Sequence, residues 1–317
     1  MTMKQKGIFT GLKVADFSWY AAGPLAAKVF ADFGATVVRI ESTKRPDTLR
    51  ILGPFRDAQR LGSHNRSGYW NELNSSKYSV TLDLNKPEGR EVAHRFVKWA
   101  DIVTESNTPG VMAKFGLDYE SIRQTKPEVI MFSASGQGQY GPNARNPMYG
   151  HIVVGVSGIS HFVGWPDLAP AGPYGPWTDF YTPYIVVGIT NAALEYRDKT
   201  GKGQYIDAAH TETAAYGCLG SSILDLTVNG REQTRMGNRH PLAAPHAAYQ
   251  CQGEDRWVDI AVFTDEEWQA FKRVLGEPEW TKEPRFATLT GRKEHEDELN
   301  GLVQQWTLNY SPEEVMV

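Results

Sequence analysis

Residues 13–40 read KVADFSWYAAGPLAAKVFADFGATVVRI, and the order of residue types in this stretch decides the fold. Lys13 to Phe17 is a short apolar run of strand length. Gly23-Pro24 then opens a helix, with proline near the first turn where its missing N–H costs nothing. Leu25 to Phe33 places apolar residues on one helical face, and Gly34 stops the helix. Thr36 to Ile40 is a second strand. A strand, a helix of about ten residues and another strand make a βαβ unit, and its two strands run parallel because the helix carries the chain back.

The alternation continues outward. Residues 79–84 (SVTLDL) predict a strand, Pro87-Glu88-Gly89 opens a helix to Trp99, and 101–104 is again a strand. A short helix over 119–124 and a buried-looking strand over 128–133 (EVIMFS) follow. Between about 136 and 178 the texture turns to Gly, Pro, Asn and aromatics, as in a loop that surrounds a site. A long helix over 180–197 stops at Asp198-Lys199-Thr200-Gly201, a strand over 204–208 follows, and a helix runs to about 228. Beyond Asn229-Gly230 the chain is more charged, with a strand over 257–263 and helices at 264–275 and about 292–305. The fold class is α/β: a Rossmann-like, doubly wound parallel sheet over 1–231, and a smaller α+β domain over 232–317.

Composition bounds the function. The 317 residues are 41% hydrophobic and 22% charged, which excludes collagen-like and disordered chains. A net charge of -4 argues against a nucleic-acid binder, although local basic pockets for phosphate remain open. Two cysteines, Cys218 and Cys251, build neither a disulfide framework nor a four-thiolate zinc site. The start, MTMKQKGIFTGLK, has no apolar signal core. The longest apolar run, 184–194, is too short for a membrane helix. The expectation is a cytoplasmic enzyme with neither nucleic-acid nor membrane partners.

Gly136-Gln137-Gly138-Gln139-Tyr140-Gly141 matches the GxGxxG pattern directly after a strand. A dinucleotide fingerprint needs a helix starting at its third glycine, and here Pro142 and Asn143 lead into a polar loop. The eight histidines (64, 94, 151, 161, 210, 240, 246 and 295) show no HxxxH or HxH pairing and read as surface or satisfied core residues. Gly155-Val156-Ser157-Gly158 lacks the spacing of a GxSxG elbow. Asp179, in Gly175-Pro176-Trp177-Thr178-Asp179-Phe180, stands at the mouth of the long helix. From position it is either a plain N-cap or a carboxylate nucleophile aimed into a cleft.

Read as a whole, the chain resembles the family III CoA-transferases, which include formyl-CoA, carnitine-type and benzylsuccinate-type transferases and the α-methylacyl-CoA racemases. The likeness runs through GLKVADFSWYAAGPLAAKVFADFGATVVRIE (11–41) and SSKYSVTLDLNKPEGREVAHRFVKWADIVTESNTPGVMAKFGLDYESIR (75–123). It continues through FSASGQGQYGP (132–142), GPYGPWTDFYTPYIVVGITNAALEYRDKTGKGQYIDAA (172–209) and GNRHPLAAP (237–245). The family's nucleophilic aspartate falls on Asp179, which implies acyl transfer through aspartyl anhydride and thioester intermediates. No metal or redox cofactor is implied, and coenzyme A enters as the substrate thioester. Coenzyme A recognition maps by resemblance to Trp19, Tyr20, Ala21 and Ala22, to Asn74, Ser75 and Lys77, and to Ser106 and Lys114, with Gly136 and Gln137 nearer the thioester. Lys77 and Lys114 are its expected phosphate partners.

The chain departs from the family in places. Ala21 stands where a glutamine is common, Glu105-Ser106 replaces Glu-Asn, and Lys114 replaces an arginine. The racemase branch carries a histidine followed by Asp where this chain has Tyr149-Gly150, with His151 two positions off, so α-proton transfer loses its second base. Relatives continue past residue 317 with a segment that returns to the first domain, so a shortened or cleaved chain or an incomplete reading frame is expected. The family's interlocked dimers imply a homodimer, or a hetero-oligomer with a related subunit. The leading expectation is transfer of CoA from an acyl-CoA donor such as succinyl-CoA to a carboxylic acid. Trp165, Trp177, Phe180, Tyr181 and Tyr149 suggest an aromatic or branched acceptor such as benzylsuccinate. The alternatives are a racemase or epimerase and a non-catalytic subunit.

Overall fold

The computed structural model describes residues 7–55 and 64–316. It divides into two compact units: residues up to His161 with Ala171–Gln233, and Phe162–Pro170 with Thr234 onward. The division lies two residues beyond the expected boundary at 231/232. The second unit also takes nine residues of the Gly/Pro-rich loop.

In chain order the first unit holds β1 (Lys13–Asp16), α1 (Ala22–Asp32), β2 (Thr36–Glu41), α2 (Gly68–Asn74), β3 (Tyr78–Thr81), α3 (Pro87–Trp99) and β4 (Ile102–Glu105). It continues with α4 (Tyr119–Ile122), β5 (Ile130–Ser135), α5 (Gly150–Val156), α6 (Ile159–Phe162), α7 (Trp177–Thr200), β6 (Tyr205–Ala209), α8 (His210–Ala214) and α9 (Gly220–Asn229). The sheet order is β3-β2-β1-β4-β5-β6 and every pairing is parallel.

Side chains alternate across a strand, so a sheet covered on both faces needs apolar residues at consecutive positions. Val14, Ile102, Ile130 and Phe132 pack against Phe30 of α1 and Val186 of α7. Their neighbours Ala15, Val103 and Met131 pack on the opposite face against Val97 of α3 and Ile122 of α4. Burial of each large apolar side chain contributes roughly 1.5–3 kcal/mol. Gly34, at φ 104°, turns the chain out of α1, and Gly201, at φ 70°, closes α7 with its N–H on the Arg197 carbonyl.

Some elements differ from expectation for local reasons. Helix α7 starts three residues early, so Pro176 is the cap position and Asp179 lies inside the first turn. The helix after β6 is interrupted by a π-turn over Ala215–Leu219. The Gly/Pro-rich loop contains α5 (Gly150–Val156), in which Ile152, Val153 and Val154 fall between two glycines. In the second unit, β7 (His246–Gln250) pairs antiparallel with β8 (Trp257–Ala261). Its alternation is muted by two alanines, and it was not expected. The helices α10 (Asp265–Val274), α11 (Leu289–Glu294) and α12 (Glu296–Thr307) complete that unit around Tyr249, Trp268, Phe286 and Leu299. Among the described residues no helix is long and apolar enough to cross a membrane.

Four charged side chains are buried at the carboxyl ends of β1 and β2. Asp16 accepts from Lys77 Nζ at 3.0 Å, from Thr104 Oγ1 at 2.9 Å and from the Ser18 hydroxyl, with Arg39 Nη1 at 3.5 Å. Arg39 Nη2 donates to Asp47 at 2.5 Å. Burial pushes the Asp16 carboxyl up, but Lys77, Arg39 and Ser18 outweigh it and hold Asp16 below its ordinary value. Burial pulls the Lys77 ammonium down to about 8 despite the attraction of Asp16. Both groups are therefore charged at neutral pH.

Asp16→Asn leaves two buried cations short of a partner and is expected to cost about 3–5 kcal/mol in chemical denaturation. A carboxyl depressed in the folded state stabilises above the ordinary aspartate value of 3.8 and loses that contribution as pH falls through its folded value. The wild-type chain should therefore lose stability on acidification more steeply than the variant. Equal stability of the two proteins at pH 7 would contradict the assignment.

Candidate active site

Chain leaving β1 goes to β2 on one side, while β4 begins on the other, so the sheet has its switch point between β1 and β4. In open parallel sheets the crevice at the carboxyl ends of such strands is where ligands bind. A cleft with about 520 Å³ of free space opens there. It is lined by Trp19 to Gly23 after β1, Ser106 after β4, Ser135 and Gly136 at the end of β5, and His210 after β6.

The loop after β1 is held by its backbone. Ser106 Oγ accepts from the Trp19 N–H at 2.7 Å and donates to the Trp19 carbonyl at 2.9 Å. Tyr20 sits at φ 60°, a left-handed conformation that a bulky residue adopts only under constraint. Its N–H donates to Asp47 Oδ2 at 3.1 Å, the oxygen that also receives Arg39. Burial pushes the Tyr20 hydroxyl up, and its ring lies 5.2 Å from that of Tyr149 across the cleft wall.

Asp179 is presented by the first turn of the 24-residue helix α7, where no side chain caps the free N–H groups. The positive end of the helix favours an anion there. Its side chain is 17% exposed and lines the cleft. On one side it lies over Gly150, where an added Cβ would come within 2.8 Å of Oδ2 and 2.2 Å of Pro176 Cβ. On the other side His210 Nδ1 stands 3.4 Å from Oδ1. Among the described residues no lysine or arginine pairs with this carboxylate.

Of the residues expected from sequence, Trp19, Tyr20, Ala21, Ala22, Ser106, Gly136 and Asp179 share one cleft. Asn74, Ser75, Lys77, Lys114 and Gln137 lie outside its lining. Lys77 does not present a free ammonium for a phosphate: its side chain is 2% exposed and its Nζ also donates to the Pro24 carbonyl and to Asn74 Oδ1. Ser75 caps the end of α2, and Gln137 Oε1 accepts from Thr211. Lys114 is exposed on a short 3₁₀ turn over Ala113–Phe115. The glycine pattern at 136–141 opens no helix: Gly138 and Gly141 take φ 80° and 97°, and Gln139 N–H donates to Asp207. Of the five aromatics, Tyr149 alone lines the cleft; Trp177 and Tyr181 stack on each other at 4.7 Å, and Trp165 belongs to the second unit.

His210 is the site residue that sequence reasoning passed over. It lacks a motif, but it follows the strand expected over 204–208, and the residue after a parallel strand points to the ligand edge of the sheet. Among the described residues no three His, Cys, Asp or Glu side chains cluster as a metal site.

The family model for CoA-transferase family III matches residues 9–317. The chain belongs to CoA-transferase family III. It is 31% identical over 312 residues to the succinate–glutarate CoA-transferase of Agrobacterium fabrum, covering 98% of this chain and 77% of that one. It is 33% identical over 305 residues to the acetyl-CoA:oxalate CoA-transferase of Acetobacter aceti, covering 95% and 75%. A crystal structure of a CaiB/BaiF family protein from Brucella suis superposes with a TM-score of 0.86 at 32% identity, covering 98% of this chain and 81% of that one.

In this family III CoA-transferase the glycine at 150 is what makes room for the aspartate. Gly150→Ala must displace both Pro176 and Asp179, since its Cβ would meet each at under 3.0 Å. The substitution is expected to cost about 1–3 kcal/mol of stability and about 100-fold in CoA transfer. Thermal denaturation and steady-state rates measured together check this, and a wild-type rate in the variant would contradict it.

Proposed function

We propose that this chain moves CoA from an acyl-CoA donor to a free carboxylic acid through covalent intermediates on Asp179. One observation carries the reading: a carboxylate without a lysine or arginine partner, at the positive end of a long helix, faces the switch-point cleft. A carboxylate oxygen of Asp179 attacks the thioester carbon, the C–S bond breaks, and CoA leaves as thiolate, giving a mixed anhydride. The thiolate then attacks Cγ of Asp179 and the donor acid departs, leaving an aspartyl-CoA thioester. The acceptor carboxylate repeats the sequence in reverse and regenerates Asp179. Each step exchanges one activated acyl bond for another, so the sequence balances without a metal or a redox group. Backbone N–H groups along the Ser135–Gly136 segment are suited to the tetrahedral oxyanions.

Trp19 to Ala22, Ser106 and Gly136 are the residues we assign to the thioester arm of CoA. Lys114, exposed beyond the end of β4, suits the phosphates, whereas Lys77 is committed to Asp16. Relatives named for succinate and glutarate and for acetyl-CoA and oxalate favour a short dicarboxylic acid as acceptor, and succinyl-CoA is the donor we adopt. An aromatic acceptor such as benzylsuccinate draws less support, because Tyr149 is the one aromatic of the five in the cleft lining. Epimerisation is disfavoured too: at 3.4 Å, Asp179 and His210 leave no room for an α-carbon between two bases. An acyl-CoA donor points to a cytoplasmic site of action. Exposed Ile223, Leu224, Leu226 and Val228 on α9 support association with a second copy or a related subunit.

Asp179→Ala is expected to lower transfer from succinyl-CoA to glutarate by at least about 10⁴-fold, the scale on which loss of a covalent nucleophile acts. Binding of CoA should persist, since the cleft walls are untouched. Transfer near the wild-type rate in that variant would sink the mechanism.

A further inference from the structure

His210 is 6% exposed, lines the cleft, and among the described residues has no hydrogen-bond partner on either ring nitrogen. A buried imidazole with both nitrogens idle is costly, and such groups call for an explanation. Its nearest charged neighbour is the nucleophile, with Nδ1 at 3.4 Å from Asp179 Oδ1. The pair is close enough for a hydrogen bond but not aligned for one, and contacts of this kind tighten when substrate is bound.

The two side chains are brought together by matched helix registers. Residues three apart share a helix face. One turn beyond Asp179, Thr182 on α7 meets Thr213 on α8, one turn beyond His210, through a hydroxyl–hydroxyl bond of 2.7 Å. Thr213 also donates to the His210 carbonyl at 3.0 Å. Both threonines are buried, so the register of α7 on α8 is fixed where it sets the 179–210 distance.

We propose that His210 is a further catalytic residue, its Nδ1–H donating to Oδ1 of Asp179 and stabilising the oxyanion that forms there. The proposal rests on Asp179 being the nucleophile. With Oδ1 held by His210, the attacking atom is Oδ2, the oxygen packed nearer Gly150. Once Oδ2 is acylated, Oδ1 is the carbonyl oxygen of the anhydride on the enzyme side. When CoA thiolate adds to Cγ, the electron pair of that carbonyl moves onto Oδ1, and the Nδ1–H receives it. The pair returns as the Cγ–Oδ2 bond breaks and the donor carboxylate leaves. A donor at this oxygen therefore favours thiolate attack on the enzyme's carbonyl carbon over return to the donor acyl group, and it commits the anhydride to forward transfer.

The test is rapid acid quench of the full chain with succinyl-CoA alone, reading the aspartyl-CoA thioester by intact-protein mass and the released succinate. Wild type, Asp179→Ala and three variants of His210 are compared. His210→Ala should form the thioester about 100-fold more slowly, the usual effect of removing one oxyanion donor, with the half-saturating succinyl-CoA concentration unchanged. His210→Asn, whose amide nitrogen occupies the place of Nδ1, should recover most of the rate. His210→Gln, whose amide reaches the place of Nε2, should not. Wild-type rates in His210→Ala or His210→Gln, or an Asn variant as slow as the alanine variant, would overturn the proposal while loss of the adduct in Asp179→Ala kept the nucleophile in place. Succinate release undiminished in Asp179→Ala would overturn both.

Discussion

The site depends on the buried charge cluster that ends β1 and β2. Asp16 joins strand β1 to Lys77, Thr104 and Arg39, and Arg39 passes the link to Asp47. Asp47 in turn accepts the Tyr20 N–H and caps its own turn through the Leu49 N–H at 2.9 Å. Charges buried this deeply are tolerated because each has opposite charge and hydrogen bonds around it, and removal of one leaves the others exposed to the full desolvation cost. The result is a loop after β1 whose backbone is fixed from below. Tyr20 keeps its left-handed conformation because Ser106 holds Trp19 just before it and Asp47 holds its own N–H.

The other wall of the cleft is built by helices instead of charge. Helix α7 packs its apolar face on the sheet through Val186 and Val187 and delivers Asp179 from its first turn. A glycine behind the carboxylate and a histidine in front of it restrict how it can turn. Position and charge work together here. The end of a long helix makes an anion comfortable, and among the described residues no lysine or arginine pairs with it, as the proposed role of nucleophile requires. A strong cation beside it would have stabilised the ground state more than any acylated form.

Much of this was legible in the sequence, and the reasons are specific. The βαβ pattern at 13–40 is marked by Gly-Pro at the helix start and Gly34 at its end, so the parallel sheet followed from local chemistry. Asp179 stood out by its place between a Gly/Pro loop and a long apolar helix. Its exact helical position did not, because Pro176 can cap a helix without any side-chain signal. The burial of Lys77 was not legible, because a lysine before a strand looks solvated in sequence and only the fold shows its ion pair with Asp16. His210 was invisible for the complementary reason. Its partner lies 31 residues earlier, and neither spacing nor composition records that α7 and α8 share a register through Thr182 and Thr213.

The most direct test of the account is chemical trapping of the nucleophile. The protein is mixed with succinyl-CoA, reduced with borohydride, digested, and the peptide spanning Trp177 to Arg197 is sequenced by mass spectrometry. The account predicts that the carboxyl of Asp179, activated as anhydride or thioester, is reduced to the alcohol, and that the peptide is unchanged when acyl-CoA is omitted. An intact Asp179 in a preparation that transfers CoA from the same donor would contradict it.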